Sequence, residues 1–588
     1  MNICIIDSGL SSEKMDDPQV FYYGLKNDEV TPGKEYAIDT IGHGTAVYSI
    51  IRRGCPKADI YVIKIFDDSY DTNEDVLVEC LNFISRNINC KILHISNGIS
   101  YCANIPTLLT ICEKLKEKGV IIVSAFDNEG GLSYPAAFSC VIGVDMDETI
   151  LCPTDYTFLD NSVVNIRGIG SEQRLPWLDK EYKVVVGSSF TAPRITVMIN
   201  DIIESGTTDF LSINDTLRSR AKQVINVPNV SVNEYGFKPI RHALLIPFNK
   251  EIHSLVRYES MLPFKIEQVC DIKYSGNVGK STADLLATEK GHLITNIDNI
   301  DWEDMFDTVV IGHLDKYMLV KPNLFSELLY KCEQYGKQIY SFDIINEDLT
   351  VPTFCANRQD VDGLLRYPFG KLRCIGKPVI GVFGTSSRQG KFTTQLFLRD
   401  SFIKCGYNVG QLGTEPASLL FGFDQMHTIG YNSEPVESGQ AIRHMNYLMG
   451  LIEDKNPDVI LCGGQSMTVP ANYNNVNQFP ITQYCALLAC QPDLIVLCIN
   501  PFDSEEYIAR TISFIESLIE TTVVALVLAP FSGDLRWGTI ASHLQVITEN
   551  EAMKIKQRFE AHFRKPVYFL VSELKYVFET CIESLTVE

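Results

Sequence analysis

The chain has 588 residues, and its 51 Lys and Arg against 73 Asp and Glu give a formal net charge of −22. Hydrophobic residues make up 45% and charged residues 21%, which is typical of globular proteins and excludes a disordered chain. Because so negative a chain repels phosphate backbones, nucleic acid is not a predicted partner. At about 150 residues per domain, the length predicts three or four domains.

The sequence shows no pattern of a membrane span or of export. Its longest apolar runs, such as 120–126 and 523–530, are much shorter than the roughly 18 residues of a span and are typical of buried strands. The first residues, MNICIIDSGL, lack the basic segment, apolar core and cleavage site of a signal peptide. The 18 cysteines form no CxxC pair. We therefore predict a cytoplasmic protein with reduced thiols, no membrane partner and no metal site.

Strand-like apolar runs alternate with amphipathic helical stretches almost throughout the chain. This alternation predicts an α/β fold with parallel sheets. A polar stretch at 206–239 is the predicted linker, and further βα series begin near residues 241 and 377. In the first part the predicted strands are 2–6, 60–65, 91–95, 120–125 and 140–144, and the predicted helices are 43–53, 74–88, 105–118 and 189–204.

Three short motifs in the first part carry the residues of nucleophilic acyl transfer. They are DSG at 7–9, GHGTAV at 42–47 and VVVGSSFTAP at 184–193. Ser189 would attack a peptide carbonyl, His43 would take its proton, and Asp7 would orient the imidazole. Each motif alone is weak, since DSG is a common turn and GHGT can begin any helix. The prediction of a catalytic triad therefore depends on the order of the three motifs and on the predicted strand or helix next to each one.

With the chain order Asp, His, Ser, residues 1–205 resemble a subtilisin-like serine protease. The resemblance implies a subtilisin-like parallel-sheet peptidase domain. SAFDNEGG at 124–131, followed by SYPA, is similar to the segment with the oxyanion asparagine, here Asn128. Its amide and the backbone N–H of Ser189 would stabilise the oxyanion. A substrate-binding strand edge is implied at Ser96, Asn97 and Gly98.

Two features depart from the subtilisin-like pattern. Phe126 and Asp127 stand before Asn128, where the family usually has a small residue and a glycine, and an ionised Asp127 would repel the oxyanion. The segment is also short for the family, and no inhibitory propeptide precedes Asp7. A protease of this kind is expected to act on a narrow set of substrates.

VIGVFGTSSRQGKFTT at 379–394 predicts a strand, a glycine-rich loop and a helix start, an arrangement that binds phosphate. Five residues separate the loop glycines, where the usual phosphate loop has four. Phe392 replaces the magnesium-binding Ser or Thr of that loop. The predicted ligand-binding residues are Gly384, Thr385, Gly390, Lys391 and Thr393.

This spacing resembles dethiobiotin synthetase, and residues 240–588 resemble a family that includes a D-glutamate N-acetyltransferase. The second resemblance also rests on 458–471 and 489–501. It implies a Rossmann-like domain at 240–374 and a phosphate-loop α/β domain at 375–588. The implied ligands are ATP with magnesium or acetyl-CoA, whereas proteolysis needs no cofactor. Gly463 stands where the related pattern has an acidic metal ligand, for which Glu415 or Asp424 could substitute.

Three functions remain open at this point. The first is an intracellular serine endopeptidase that processes a specific precursor peptide, ribosomally made and modified, with a fused nucleotide- or acyl-CoA-binding module. This fusion resembles bacterial peptide-maturation proteins. The second is an amino-group acyltransferase or ATP-dependent ligase in the C-terminal half, with a subordinate protease domain. The third is a non-catalytic scaffold that binds a peptide. The expected partner is a peptide in each case except the second, and the sequence predicts no oligomeric state.

Overall fold

A computed structural model describes residues 1–27, 29–66, 72–96, 98–102, 104–128, 130–226, 238–357, 370–429, 436–471, 473–474, 479–529, 531–532 and 545–586. The chain divides into two compact units. The first comprises 1–231 and 362–376, and the second 232–361 and 377–588. Among the described residues, no helix combines the length and the apolar character needed to cross a membrane.

The first unit is a layered α/β fold, as its alternating pattern predicts. Ten of its described strands form one sheet in the order β12-β8-β9-β7-β6-β5-β1-β4-β2-β3, and β10 pairs with β11. Only β2–β3 and β8–β9 are antiparallel among the described pairs of the large sheet. The strands are β1 Asn2–Asp7, β2 Val20–Lys26, β3 Glu29–Pro32, β4 Asp59–Lys64, β5 Ile92–Ile95, β6 Ile121–Ala125, β7 Ile142–Asp147, β8 Thr157–Asp160, β9 Ile166–Ile169, β10 Gln173–Pro176, β11 Tyr182–Val185 and β12 Gln223–Asn226. The helices are α1 His43–Gly54, α2 Glu74–Asn87, α3 Ile105–Glu117, α4 Ser188–Glu204 and α5 Phe210–Arg220.

Strand β1 lies between β4 and β5, and both of its faces are buried. Because side chains alternate along a strand, Ile3 and Ile5 enter one hydrophobic core, which α1 and α4 cover. Cys4 and Ile6 enter the opposite core, beneath α2 and α3. A strand buried on both faces is an uninterrupted apolar run, which is why NICII is recognisable as a strand. The predicted α/β class with parallel sheets is confirmed.

The predicted linker at 206–239 is only partly irregular. Asp209 caps α5 by accepting a hydrogen bond from the Ser212 amide, and Ile213 and Leu217 bury one face of this helix in the first core. Strand β12 then joins the large sheet beside β8. The first unit therefore extends past residue 205, because two buried side chains four residues apart anchor a helix whose other positions are polar.

Residues 370–376 also pack with the first unit, although the sequence analysis divides them between the two C-terminal domains. The Leu132 amide donates to the Leu372 carbonyl at 2.8 Å, and the Tyr101 hydroxyl donates to the Gly376 carbonyl at 3.3 Å. These contacts join a stretch of chain to residues more than 200 positions away. No periodicity in the sequence indicates such a pairing.

The second unit contains two parallel sheets among its described residues. One has the order β15-β14-β13-β16-β17-β18 and the other β21-β20-β22-β19-β23-β24-β27, while β25 pairs with β26. The strands are β13 His242–Ile246, β14 Lys265–Asp271, β15 Ile294–Asn296, β16 Thr308–Ile311, β17 Gln338–Ser341, β18 Thr353–Cys355, β19 Val379–Gly384, β20 Val409–Gly413, β21 Gln425–Met426, β22 Val459–Gly463, β23 Leu494–Ile499, β24 Thr522–Leu528, β25 Phe531–Ser532, β26 Gln545–Val546 and β27 Val567–Phe569. The helices are α6 Lys250–Arg257, α7 Thr282–Leu286, α8 Asp315–Met318, α9 Leu324–Tyr335, α10 Lys391–Lys404, α11 Ser438–Glu453, α12 Ile481–Cys490, α13 Glu505–Leu518, α14 Glu549–Phe563 and α15 Leu574–Leu585.

Helix α5 offers a matched test of the extended first unit. Leu217 is fully buried, whereas Leu211 on the same helix is 73% exposed. Leu217→Ala should destabilise the first unit by about 2–5 kcal/mol, the usual cost of emptying a buried leucine site, and Leu211→Ala should change stability by less than about 0.5 kcal/mol. Differential scanning calorimetry measures both. Equal, small shifts would contradict the packing of α5 against the core.

Candidate functional site

Asp7 and His43 form a hydrogen-bonded pair at the carboxyl end of the central strand. Asp7 is the last residue of β1 and is 1% exposed, and His43 is the first residue of α1. The His43 Nδ1 donates to Asp7 Oδ1 at 2.8 Å, and the Ser8 amide donates to the same oxygen at 2.7 Å. With Nδ1 carrying the proton, Nε2 is the nitrogen that can accept one, as a general base requires.

The pair shifts the pKa values of both groups. Burial would raise the pKa of Asp7, but the charge of His43 and hydrogen bonds from His43 and the Ser8 amide lower it below its ordinary value. Burial would lower the pKa of His43, but the Asp7 carboxylate, and more weakly Asp39, raise it. Both shifts favour the charged partners, so each residue stabilises the other.

A second buried carboxylate, which the sequence analysis did not single out, fixes the start of α1. Asp39 accepts hydrogen bonds from the Ser8 hydroxyl, the Gly42 amide and the Thr45 amide, at 2.8–2.9 Å. The Gly44 amide donates to the Ser8 hydroxyl, and a Cβ on Gly44 would lie 2.4 Å from the Gly9 carbonyl oxygen. Asp39 therefore positions His43 against β1. The sequence offered one indication of this role, because Asp39 lies only three residues before Gly42 of the histidine motif.

Ser189 lies in the first turn of α4, after Gly187 and Ser188, and is 5% exposed. The ring of its neighbour Phe190 lies 4.9 Å from the His43 ring, measured between centroids. The first turn of α4 is thus packed against the imidazole of the ion pair. A helix start also supplies backbone N–H groups and a positive dipole, both of which favour a developing negative charge.

Asn128 is held beside the same helix start by Ser188. The Ser188 amide donates to Asn128 Oδ1 at 2.9 Å, and the Ser188 hydroxyl is 3.0 Å from that oxygen and also bonds to the Phe126 carbonyl. Because an amide N–H can only donate, the oxygen of the carboxamide must face Ser188. The Nδ2 group is left free of Ser188, and the Asn128 residue is exposed.

The two unusual residues before Asn128 have different surroundings. Phe126 is 2% exposed and packs with Ala136, Leu159 and Val164 in a small hydrophobic cluster. The Asp127 amide donates to the Ser133 hydroxyl at 2.9 Å, which fixes the backbone one residue before Asn128. The bulk of Phe126 is therefore accommodated inside the fold, away from solvent.

The predicted substrate-binding edge follows β5. Ser96 is buried, and its hydroxyl lies 2.6 Å from His94 Nε2, while Nδ1 of His94 lies 2.8 Å from the Thr196 hydroxyl. Burial lowers the pKa of His94 to about 3, so it is a neutral core residue. A Cβ on Gly98 would lie 2.6 Å from Ser133 Oγ, so Gly98 lies close to Ser133, shortly after the oxyanion segment. Asn97 lies outside the described residues, and the roles of Ser96 and Gly98 stay predictions.

In the second unit, the phosphate loop connects β19 to α10, as predicted. Gly390 has φ +82° and is the residue before the helix, where only a glycine is unstrained. Gln389 braces the loop from inside: its side chain accepts from the Ser386 amide at 2.8 Å and donates to the Thr385 hydroxyl at 2.7 Å. Within the described part of the chain, no acceptor receives the amides of Arg388, Gln389 or Gly390.

Lys391 is buried, and its Nζ donates to the Ser386 carbonyl of its own loop at 2.7 Å. Burial lowers the pKa of this lysine to about 8, with Cys498 and Glu415 opposing the shift. Burial also raises the pKa of Glu415, against the charges of Lys250 and Lys391. Thr393 points elsewhere, since its hydroxyl lies 2.8 Å from the Tyr258 hydroxyl.

The residues around the loop only partly fit a magnesium site. Asp424, one suggested substitute for the acid missing at Gly463, accepts from the Gln411 amide and pairs with Lys455, so its carboxylate is already engaged. Asp503, which was not among the predicted residues, accepts a hydrogen bond from the Thr385 hydroxyl at the start of the loop. Phe392 packs on Phe421 and Phe423. Among the described residues, no cluster of three or more His, Cys, Asp or Glu could hold a metal.

Comparisons with known proteins support two different relationships. Residues 369–575 match a family described as "Domain of unknown function (DUF1611_C) P-loop domain". The "Major intracellular serine protease" of Bacillus subtilis (strain 168) is 24% identical over 213 residues, which is 33% of this chain and 66% of that protease. The chain thus spans just under two thirds of the length of this curated relative.

Among solved structures, a DUF1611 family protein from Anabaena variabilis covers 59% of this chain and 100% of its own, with 16% identity and a TM-score of 0.44. A cold-adapted subtilisin-like serine proteinase covers 38% of this chain and 83% of its own, with 17% identity and a TM-score of 0.33. The chain joins an N-terminal region homologous to subtilisin-like proteases to a C-terminal P-loop domain of the DUF1611 type.

The Asp7–His43 pair should make the stability of the first unit depend on pH. In a Ser189→Ala background, NMR titration should give His43 a pKa above 6.5, and Asp7→Asn should lower it, because the carboxylate raises it. The stability from the pair should be largest between about pH 3.9 and 6.5, the unfolded values. It falls above that window as pH passes the raised His43 pKa, and below it as pH passes the lowered Asp7 pKa. Glu204→Gln, at the far end of α4, is the control; an unchanged His43 pKa in Asp7→Asn would refute the coupling.

Proposed function

We propose that the first unit is a serine endopeptidase of the subtilisin type, with Ser189 as nucleophile, His43 as general base and Asp7 as its orienting partner. The observation that carries the proposal is the buried hydrogen bond from His43 Nδ1 to Asp7 Oδ1 at 2.8 Å, with Phe190 of the Ser189 helix packed on the same imidazole. Sequence homology to an intracellular serine protease supports the same assignment.

The chemistry follows from the positions of these groups. Ser189 Oγ adds to the peptide carbonyl while His43 Nε2 takes its proton, and Asp7 stabilises the resulting imidazolium. The carbonyl oxygen becomes an oxyanion near the start of α4, where the Asn128 Nδ2 and the Ser189 amide are the proposed donors. His43 then protonates the leaving amine, and water repeats the sequence on the acyl-enzyme.

The narrower proposal concerns the substrate. We infer an intracellular protease that cleaves a specific precursor peptide, by analogy with proteins in which a protease is fused to a ligand-binding domain. The support is the fusion itself and the intracellular protease to which the first unit is similar. A scaffold without activity fits less well, because orienting His43 has no evident use in passive peptide binding.

Two adjacent serines at the start of α4 allow a sharp test of the nucleophile. A fluorophosphonate probe should label the wild type and Ser188→Ala, but not Ser189→Ala, because only an activated serine reacts. Intact-mass spectrometry measures one adduct per chain. Labelling of Ser189→Ala, or no labelling of the folded wild type, would reject the protease proposal.

For the second unit we propose that the 384–391 loop binds a phosphate-bearing ligand, with ATP and acetyl-CoA as the candidates. The loop amides of Arg388, Gln389 and Gly390, the start of α10 and the buried Lys391 are the supporting features. Lys391 would exchange its bond to the Ser386 carbonyl for a phosphate oxygen. An acyltransferase or ligase reaction at this loop is the alternative function, and the neighbouring Glu415 would be available as an acid or base.

A thermal-shift screen with ATP, GTP and acetyl-CoA, each with and without magnesium, tests the loop. A ligand at 100 times its Kd should stabilise the protein by about 2.7 kcal/mol. Lys391→Ala should abolish the shift, whereas Lys404→Ala, at the exposed end of the same helix, should keep it. If no ligand stabilises the wild type, or if Lys391→Ala responds equally, the loop does not bind phosphate.

A further inference from the structure

The 370–376 segment lies against the part of the first unit that carries Asn128. It precedes β19 in the chain, yet its contacts are with the loop after β6 and with Tyr101. Gly376 packs under the Tyr101 ring, where an added Cβ would lie 2.6 Å from a ring carbon. The segment therefore belongs to the first unit, although in the chain it lies between two stretches of the second unit.

Lys371 is the most buried charge of this segment. The residue is 5% exposed, and its Nζ lies 3.3 Å from Oδ2 of Asp145 in β7. The same Nζ lies 5.1 Å from the centroid of the Phe126 ring. A lysine is almost never so buried without a specific partner, and here it has both a carboxylate and an aromatic face.

The next residue, Leu372, contacts the chain a few residues after Asn128. Its carbonyl accepts the Leu132 amide at 2.8 Å, four residues after Asn128, whereas Lys371 touches Phe126, two residues before it. Two consecutive residues thus hold both flanks of the turn that presents the Asn128 carboxamide. From the opposite side, Ser188 binds the Phe126 carbonyl and Asn128 Oδ1.

We propose that Lys371 is a positioning residue for the oxyanion donor Asn128, acting through its ion pair with Asp145 and its contact with the Phe126 ring. The proposal rests on the endopeptidase assignment above. Lys371 itself touches neither substrate nor nucleophile. It fixes the bulky Phe126 at the position where the subtilisin-like pattern has a small residue, and so it sets the angle at which Asn128 leaves β6.

The ion pair of Lys371 and Asp145 affects the geometry of the site more than the stability of the fold. A buried ion pair contributes little net stability, since desolvation offsets most of its attraction, but the 3.3 Å contact between Lys371 and Asp145 ties the segment to β7. An oxyanion donor must lie within about 0.5 Å of its productive position, and a 1 Å displacement can slow catalysis about 100-fold. Releasing Phe126 frees the turn that carries Asn128.

The test is a double-mutant cycle in the full chain, with the second-order rate of fluorophosphonate labelling at Ser189 as the readout. Lys371→Met should slow labelling about 10- to 100-fold, and Asn128→Ala about 100- to 1000-fold. In the Asn128→Ala background, Lys371→Met should have almost no further effect, because the donor it positions is gone. Lys371→Arg should restore much of the rate. Lys377→Met, just beyond the segment, is the matched control and should label like the wild type.

Lys371→Met leaves Asp145 without its partner, so thermal unfolding accompanies each rate. If that variant does not fold, Lys371→Met/Asp145→Asn removes both charges and replaces it in the cycle. An equal loss of rate in the presence and absence of Asn128 would overturn the positioning role, as would wild-type labelling by Lys371→Met. Neither outcome affects the protease proposal. That proposal fails only if Ser189 of the wild type is not labelled.

Discussion

The hydrogen bond between Asp7 and His43 is the constraint on which the first unit depends. It forms only if the end of β1, at residue 7, and the start of α1, at residue 43, lie next to each other at the carboxyl edge of the sheet. Asp39 and Ser8 ensure this by tying the helix start to the strand end. The same pairing orients His43 Nε2 away from the carboxylate and raises the His43 pKa, which together make the imidazole a base.

In the second unit, side chains of the phosphate loop and its neighbours form hydrogen bonds with one another inside the loop. Gln389, Thr385 and Asp503 form a connected set of hydrogen bonds, and Lys391 caps the Ser386 carbonyl. A ligand would have to replace the lysine contact, while the Gln389 brace would keep the loop shape. Phe392, which takes the place of a magnesium-binding hydroxyl, instead packs on Phe421 and Phe423, so binding without a metal is the simpler hypothesis for this loop.

The sequence predicted the sheet fold well because the strands are continuous apolar runs and the helices have capped, periodic patterns. NICII, IYVIKI and VIGVFG all coincide with strands to within two residues. Strand β14 is harder to recognise, because polar Glu267 and Gln268 interrupt its apolar run. Helix α5 was missed because Ile213 and Leu217 are its only buried residues among many polar ones.

The site could be predicted only where motif residues are contiguous. Asp7, His43 and Ser189 stand in recognisable strings, but Asp39, Ser188 and Asp503 act through hydrogen bonds that composition does not reveal. The placement of Lys371 is beyond sequence reasoning altogether, because its partners Asp145 and Phe126 are more than 200 residues away. An ion pair between two residues far apart in the chain produces no periodic pattern in the sequence.

A bifunctional inhibitor that reacts with both a serine and a histidine tests whether Ser189 and His43 share one site. Peptidyl chloromethyl ketones of varied sequence would be incubated with the folded protein, and the modified residue identified by peptide mass spectrometry. If the two residues share one site, His43 is alkylated, and the reaction is strongly slowed in Ser189→Ala because the serine must first add to the ketone. A folded protein in which every such reagent leaves His43 unmodified, or modifies it equally fast without Ser189, would contradict a shared site.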